Sequence, residues 1–531
     1  EEDKQAILEY RYSVSGWISI DLMQILGGPG LAGSLKSHEI RLGMLNVQDL
    51  PYPPGSMLSS EQIIVVRDYC QHDVNATEAL YHNLQDKINV RYGVNRQYPY
   101  LKNSALRRSD ASIAEAVMKK EYLKKSGRNS KDIQKPQKFI FKPDKRIDPN
   151  IRFTNPHNQV LLERLRTLSL FEAKDWTQKK LNESFVFRVG NHSINLGRGG
   201  LHTIIGHCVI ESEAILEFDV ASYYPSLLRK FKNYPVGLTE HWIKILNGLT
   251  DERLVAKRNG DKAKAEVYKI IINSLYGKMA DKTSFNRDDA LQLQVTLNGQ
   301  LFLIMLMEQF HNAGFEVISA NTDGLYIKAD NRIDEAQAIA DQWMLDSGFT
   351  LESKISTRFV STAINDYALY HPDLGWYHRK GGFANNKRTK PSIITDAVLN
   401  TISTDEPVDS YIRSGECLLD FLYSGSVKDN KATQIKHGDN LVQKTNRWYK
   451  STQGQAIKKC TLVDGIEKWS QVPNTDQCNV ANRLETFAIP DDLDFDYYIQ
   501  EAQTLLDNLN QQKAAKEVVQ SKLIKEALKA Q

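Results

Sequence analysis

The spacing of apolar and polar positions changes several times along the chain, and each change predicts an element. Residues 60–84 follow a break at Pro51-Tyr52-Pro53-Pro54-Gly55 and predict a helix on which Tyr69 and Asp73, four apart, share a face. Residues 214–220, rich in Ile, Leu, Phe and Val, predict a strand that closes on Asp219, because Pro225 cannot continue a central strand. Residues 239–258 and 262–278 predict two helices joined by a tight turn at Asn259-Gly260-Asp261, a short projecting hairpin. An apolar helix over 297–311 leads through Gly314 into a strand over 315–319, broken at Asn321-Thr322-Asp323-Gly324 and resumed over 325–327. An Asp-Gly turn between two apolar runs is a strong hairpin signal. Residues 362–370 and the stretch around Lys380 to Phe383 read as strand and loop. Beyond about 391 the pattern predicts helices with polar connections, ending in a lysine-bearing helix over 517–531. No internal repeat is visible.

Composition bounds this picture without redirecting it. A chain of 531 residues exceeds what one hydrophobic core serves, so at least two structural units are expected, with three or four favoured. A hydrophobic fraction of 41% and a charged fraction of 25% are those of a globular protein, and a net charge of +3 announces no nucleic-acid binder by itself. Charge is concentrated locally: between Lys119 and Arg146, eleven Lys and Arg face only Glu121, Asp132 and Asp144, either a solvated linker or a tether that follows phosphates. Five scattered cysteines without a Cys-x-x-Cys pair argue against a zinc site or a disulfide-built fold and suit a reducing compartment. The apolar run 301–307 is too short to span a bilayer, and the opening Glu-Glu-Asp-Lys-Gln reads as a start inside a domain, not as a signal peptide.

The chemistry begins with two aspartates. A lone aspartate at a strand end is ordinarily a turn former. Asp219 at the end of an apolar strand and Asp323 at a hairpin tip together predict opposed carboxylates, like charges that call for a bound cation. Two divalent ions held there could activate a primer 3′-hydroxyl and clamp the oxygens of an in-line phosphoryl displacement. On the helical hairpin, Arg253 and Lys257 are spaced i,i+4, while Lys269, Asn273 and Tyr276 follow i, i+4, i+7. Three cations and an amide on facing helices suit phosphate oxygens, although two solvated basic faces would show the same spacing. Tyr276-Gly277 offers a ring to floor a base pair and a residue that lets a nascent pair approach. Tyr224, held beside Pro225, would exclude a 2′-hydroxyl if it lies under the nucleotide sugar.

Asp219-Val220-Ala221-Ser222-Tyr223-Tyr224-Pro225-Ser226 resembles motif A of the family B DNA polymerases, Asp-x-x-Ser-Leu-Tyr-Pro-Ser. Lys269-Ile270-Ile271-Ile272-Asn273-Ser274-Leu275-Tyr276-Gly277 is similar to motif B, Lys-x-x-x-Asn-Ser-x-Tyr-Gly, and Asn321-Thr322-Asp323-Gly324 resembles motif C, Asp-Thr-Asp-Ser. The resemblance implies that Asp219, Asp323 and the Val220 carbonyl bind metal, and that Arg253, Lys257, Lys269 and Asn273 hold the triphosphate. Tyr224 would be the steric gate and Tyr276 would lie beneath the nascent pair. Gly199-Gly200, Gly277, Thr322, Tyr367 and Lys380 would meet DNA, with Lys380-Gly381-Gly382 similar to a lysine-glycine element near the primer terminus. Asn365-Asp366-Tyr367 stands at the Lys-x-Tyr motif without its lysine, and Asn321 replaces the first motif C aspartate, keeping an acceptor but not the charge.

The implied fold is a multidomain α/β right hand: an antiparallel-sheet palm, short helical-hairpin fingers and a mainly helical thumb, after a partial RNase H-like exonuclease domain. The expected boundaries are 1–95 for the exonuclease-like part and 96–195 for a basic linker region. Then come 196–238 and 279–390 for the palm, 239–278 for the fingers and 391–531 for the thumb. In the thumb, Lys444, Arg447, Lys450, Lys458 and Lys459 could follow a duplex through its phosphates. Tyr69-Cys70-Gln71-His72-Asp73 resembles the third exonuclease motif, Tyr-x-x-x-Asp, but no Asp-x-Glu site precedes it, so little proofreading is expected. The resemblance further implies two divalent cations (magnesium, or manganese), primer-template DNA, deoxynucleoside triphosphates and replication accessory proteins as partners. A cytoplasmic monomer is expected, in the host cytoplasm if the source is a phage or mobile element. Short intervals between the motifs favour a nucleic-acid primer over a protein primer. The alternatives are a 3′→5′ nuclease with a vestigial polymerase and a non-catalytic DNA-binding scaffold.

Overall fold

The computed structural model describes residues 18–28, 30–133, 141–168, 185–427, 432–463 and 466–511. At its centre seven strands form one antiparallel sheet: β1 (Leu201–His202), β2 (Cys208–Val220), β3 (Glu316–Thr322), β4 (Gly324–Lys328), β5 (Leu351–Ala363), β6 (Asp366–His371) and β7 (Gly375–Arg379). Their order is β1-β3-β4-β2-β5-β6-β7. Successive strand residues point to opposite faces. On β2, Leu216, Phe218 and Val220 therefore enter the main core, whereas Ile215, Glu217 and Asp219 look toward the other face, where Ile215 joins Tyr326, Phe359 and Tyr367. Phe218 stacks on Phe310 with ring centroids 5.2 Å apart. Truncating a buried phenylalanine to alanine costs about 3–5 kcal/mol, and Phe218→Ala would loosen the strand that carries Asp219.

The core face is covered by α1 (Tyr223–Phe231), the hairpin of α2 (His241–Arg258) and α3 (Lys262–Gly277), α4 (Asp289–Asn312) and α5 (Ile333–Ser347). The hairpin turn follows from its residues: Gly260 supplies a positive φ of 71°, and Asp261 caps α3 by accepting from the Lys264 N–H at 3.0 Å. α4 is longer than the expected 297–311, and it is apolar enough to cross a membrane by length and composition, yet it is buried among the other elements. A helix apolar all round needs cover on every side. Three of its polar residues satisfy passing loops: Asn298 bonds the Arg146 carbonyl and the Asp148 N–H, Glu308 takes the Thr154 and Asn155 N–H groups, and Gln300 holds Gly197 and Gly199.

Three expectations change. The block 96–195 is no linker: Ile113, Val117, Met118, Tyr122 and Phe141 lie in the main core, Arg128 donates to the Gly237 carbonyl and Arg146 to Gln294. Lys135 and Lys138 lie outside the described residues. Residues 391–511 are not mainly helical. After the helices Ser392–Thr404 and Val408–Arg413 come a three-stranded sheet (Tyr423–Ser426, Thr445–Gln455, Cys478–Val480) and a four-stranded one (Asn440–Leu441, Ala432–His437, Ile457–Val463, Ile466–Gln471), and a helix over 495–511 follows, so helix and strand share the region about equally. Polarity suggested connections there, but Asn446, Arg447, Lys450 and Ser451 are buried and partnered. The helix expected over 517–531 lies outside the described residues.

Among the described residues before 98 the regular elements are the helices Leu22–Ile25, Leu35–Arg41, Ser60–Asn83 and Gln85–Gln97, so the sheet of an RNase H-like unit is not among them. This part is tied to the carboxyl-terminal sheet: Val47 N–H donates to Asn482 at 2.8 Å, Thr445 N–H to Asp49 at 2.9 Å, and Arg447 to the carbonyls of Met44 and Leu45.

Candidate active site

Asp219 and Asp323 arrive from neighbouring strands. β2 pairs with β4 so that Asp219 stands opposite Gly324, and the β3–β4 turn at Thr322-Asp323 is closed by the pairing of Asn321 with Gly324. The Val220 N–H donates to the Asp323 carbonyl at 2.7 Å, which pins the turn onto the end of β2. Thr322 takes a φ of 57°, an uncommon conformation for a residue with a branched side chain. Gly324 is required by close approach, since a Cβ there would stand 2.9 Å from the Phe218 carbonyl and 3.1 Å from Asp219 Oδ1.

Electrostatics follow from this crowding. Burial, then the neighbouring charges of Asp323 and Glu217, push the Asp219 carboxyl up to about 7. Asp323 is also raised, chiefly by burial, while Lys380 pulls it the other way. Two neighbouring carboxylates that resist ionisation are what a divalent cation would relieve. Among the described residues no group of three or more His, Cys, Asp or Glu side chains is placed to hold a metal. The donor set nonetheless suits magnesium, which binds through one or two carboxylates and completes its shell with water and phosphate oxygens.

The hairpin helices face this pair. Arg253, only 9% exposed, donates from Nη1 to Ser222 Oγ at 2.5 Å, and its buried Nε–H has no partner. A buried guanidinium with a spare donor is poised for an anion. Lys257 lies 4.0 Å from Glu352 and Lys269 3.0 Å from Glu266, both solvent-exposed pairs that exchange readily for phosphate, and Asn273 is exposed on the same helix as Lys269. Tyr224 packs on Tyr276 with centroids 4.4 Å apart and an interplanar angle of 33°. Burial and then the Asp323 charge push the Tyr224 phenol up to about 12. Beneath it, Tyr223 donates to the Gly299 carbonyl at 2.7 Å and anchors α1.

The remaining predicted residues line the adjoining edge. Gly200 presses on the motif C turn, where a Cβ would meet Thr322 Oγ1 at 2.7 Å and Thr322 Cα at 2.9 Å, and the Gly199 carbonyl accepts from Gln300. Gly277 has open space above it. Tyr367 is buried, stacked on Phe359, with its hydroxyl 3.2 Å from that of Tyr326, which donates to Glu217 at 2.9 Å. The Lys380 ammonium sits 5.4 Å from the Tyr367 ring centroid. Tyr69 and Asp73 lie apart from this site and engage Lys36, whose ammonium is 2.5 Å from Asp73 and 4.6 Å from the Tyr69 centroid. Of the five basic residues expected to follow a duplex, Arg447 and Lys450 are committed inside the protein, Lys450 to Asp476.

Glu217 and Asp366 were not foreseen. Glu217 precedes Asp219 by two, so the period of a strand places both on one face; counting that period would have found it. Asp366 accepts from the Gly382 N–H, a contact across strands that spacing does not reveal.

No family model matches the chain. DNA polymerase II of Escherichia coli (strain K12) is 27% identical over 169 residues, covering 26% of this chain and 22% of that protein. The matched stretch thus spans about a fifth of the relative's length. The family B DNA polymerase of the hyperthermophilic archaeon Pyrobaculum calidifontis superposes with a TM-score of 0.47 at 14% identity, covering 94% of this chain and 64% of that one. Motifs resembling A, B and C of the family B DNA polymerases thus run in order from Asp219 to Gly324, in a chain of which one stretch is similar to DNA polymerase II.

Proposed function

We propose that the chain is a template-directed DNA polymerase that adds deoxynucleoside triphosphates to a primer 3′-hydroxyl. The seven-stranded sheet would serve as palm, α2 and α3 as fingers, and residues 391–511 as a thumb of helices and two small sheets. The observation that carries this reading is the juxtaposition of two carboxylates, Asp219 and Asp323, at adjoining strand ends, with the buried Arg253 guanidinium bonded to Ser222 just beyond Asp219.

In the reaction the primer 3′-oxygen bonds to the α-phosphorus and the bond to pyrophosphate breaks. Asp219, Asp323 and the Val220 carbonyl would hold two divalent cations, magnesium or manganese. The chemistry these supply when bound is activation of the 3′-hydroxyl and stabilisation of charge on the phosphates. Arg253 offers a fork to the triphosphate, Lys257 and Lys269 offer point charges, and Asn273 offers an amide. The Tyr224–Tyr276 stack forms a floor that leaves little room for a 2′-hydroxyl. Lys380 and the Gly199-Gly200 loop lie where primer and template would pass. Primer extension on a labelled primer-template tests this: the chain should extend with Mg²⁺ or Mn²⁺, and Asp323→Asn should lose about 10³-fold or more. Robust extension by that variant would sink the assignment.

A further inference from the structure

Two of the places where the chain departs from the family B motif pattern touch each other. Asn321 stands at the first acidic position of motif C, and Asn365 at the lysine position of Lys-x-Tyr. Asn321 Nδ2 donates to Asn365 Oδ1 at 3.0 Å and faces the Ile364 carbonyl at 3.5 Å, while its Oδ1 accepts from the Thr322 hydroxyl at 3.0 Å. We propose that Asn321 and Asn365 are a matched, charge-neutral positioning pair that holds the Asp323 turn against the loop supporting Lys380. The pair does the work of a carboxylate and an ammonium at the same two positions.

The chemistry of the contact explains why the two departures belong together. An aspartate at 321 alone would turn an oxygen toward two acceptors, Asn365 Oδ1 and the Ile364 carbonyl. A lysine at 365 alone would bring an ammonium against the Asn321 amide donors. Made together, the two changes restore donor to acceptor and leave the net charge unaltered.

The contact also reaches the site. From Asn365 the chain passes to Asp366, which accepts from the Gly382 N–H, and to Tyr367, whose carbonyl accepts from the Lys380 N–H at 2.8 Å and whose ring lies under the Lys380 ammonium. Gly381 is packed so closely against Asp366 and the Asn365 carbonyl that no side chain fits, so the loop cannot slide independently of Asn365. The hydrogen bond thereby ties the strand end that leads into Asp323 to the loop that carries Lys380.

The proposal rests on the polymerase reading, and a double-mutant cycle tests it. Single-turnover extension is measured for the full chain, Asn321→Asp, Asn365→Lys and the double variant. Each single change should lower the rate about tenfold or more with KM for the nucleotide little altered, and the double should return to within about threefold. Effects that simply multiply, or an unimpaired Asn321→Asp, would overturn the pair. If the wild-type chain extends no primer, the polymerase reading falls by itself and the pair is judged by melting of Asn321→Ala, Asn365→Ala and their double. A double that melts no lower than the worse single supports the contact; additive losses refute it.

Discussion

Replacing Asp219 with asparagine in the cation-free chain should flatten a particular stretch of its stability–pH curve. The folded carboxyl titrates near 7, against an ordinary 3.8. Because the folded value is raised, the protonated form favours the folded state. That contribution is complete below about pH 4 and is lost as the pH rises through 7. A shift from 3.8 to about 7 spans about three pH units, ~4 kcal/mol at about 1.4 kcal/mol each. Water still reaches this side chain, so about half of that, ~2 kcal/mol, is expected. Urea denaturation in chelator at pH 4, 5.5, 7 and 8 measures it. The wild type should lose about 2 kcal/mol relative to Asp219→Asn between pH 4 and 8, and magnesium at pH 8 should restore the wild type and leave the variant unchanged. Parallel curves for the two proteins, or equal stabilisation of both by magnesium, would refute the account of a crowded carboxylate awaiting a cation.

Tyr224→Ala should open the space above Tyr276 and raise ribonucleotide relative to deoxynucleotide incorporation by about tenfold or more, scored in competition on one primer-template; an unchanged ratio would place the gate elsewhere. Arg253→Lys, which keeps the charge and loses the fork, should raise KM for the nucleotide about tenfold while the chain folds normally, and nucleotide titration under primer-saturating conditions checks it.

The sequence alone carried what is local and periodic. The hairpin helices fall within two residues of their expected limits, because Gly260 and Asp261 dictate the turn and the cap wherever the chain lies. The turn holding Asp323 and the end of the strand holding Asp219 were legible too, as alternation and a breaker residue are short-range signals, whereas that strand begins at Cys208, six residues before its expected start. Their spatial union was not readable from spacing alone, because antiparallel register across about a hundred residues sets it.

What the chain order hides is which polar residues are buried and which distant departures meet. Arg447 and Lys450 look like surface cations in one dimension, yet carbonyls of Met44 and Leu45 and the carboxylate of Asp476 surround them, since buried donors need acceptors that only folding assembles. The strands of 423–480 were missed for the same reason: buried, bonded polar residues break the apolar rhythm by which strands are recognised. Asn321 and Asn365 read separately as two weakened motifs, and become one complementary contact because β3 and the β5–β6 turn are brought to the same edge of the sheet. Local propensity thus determined the elements, while charge compensation, burial and the joining of Asp219 to Asp323 depended on the tertiary packing that removes water from around them.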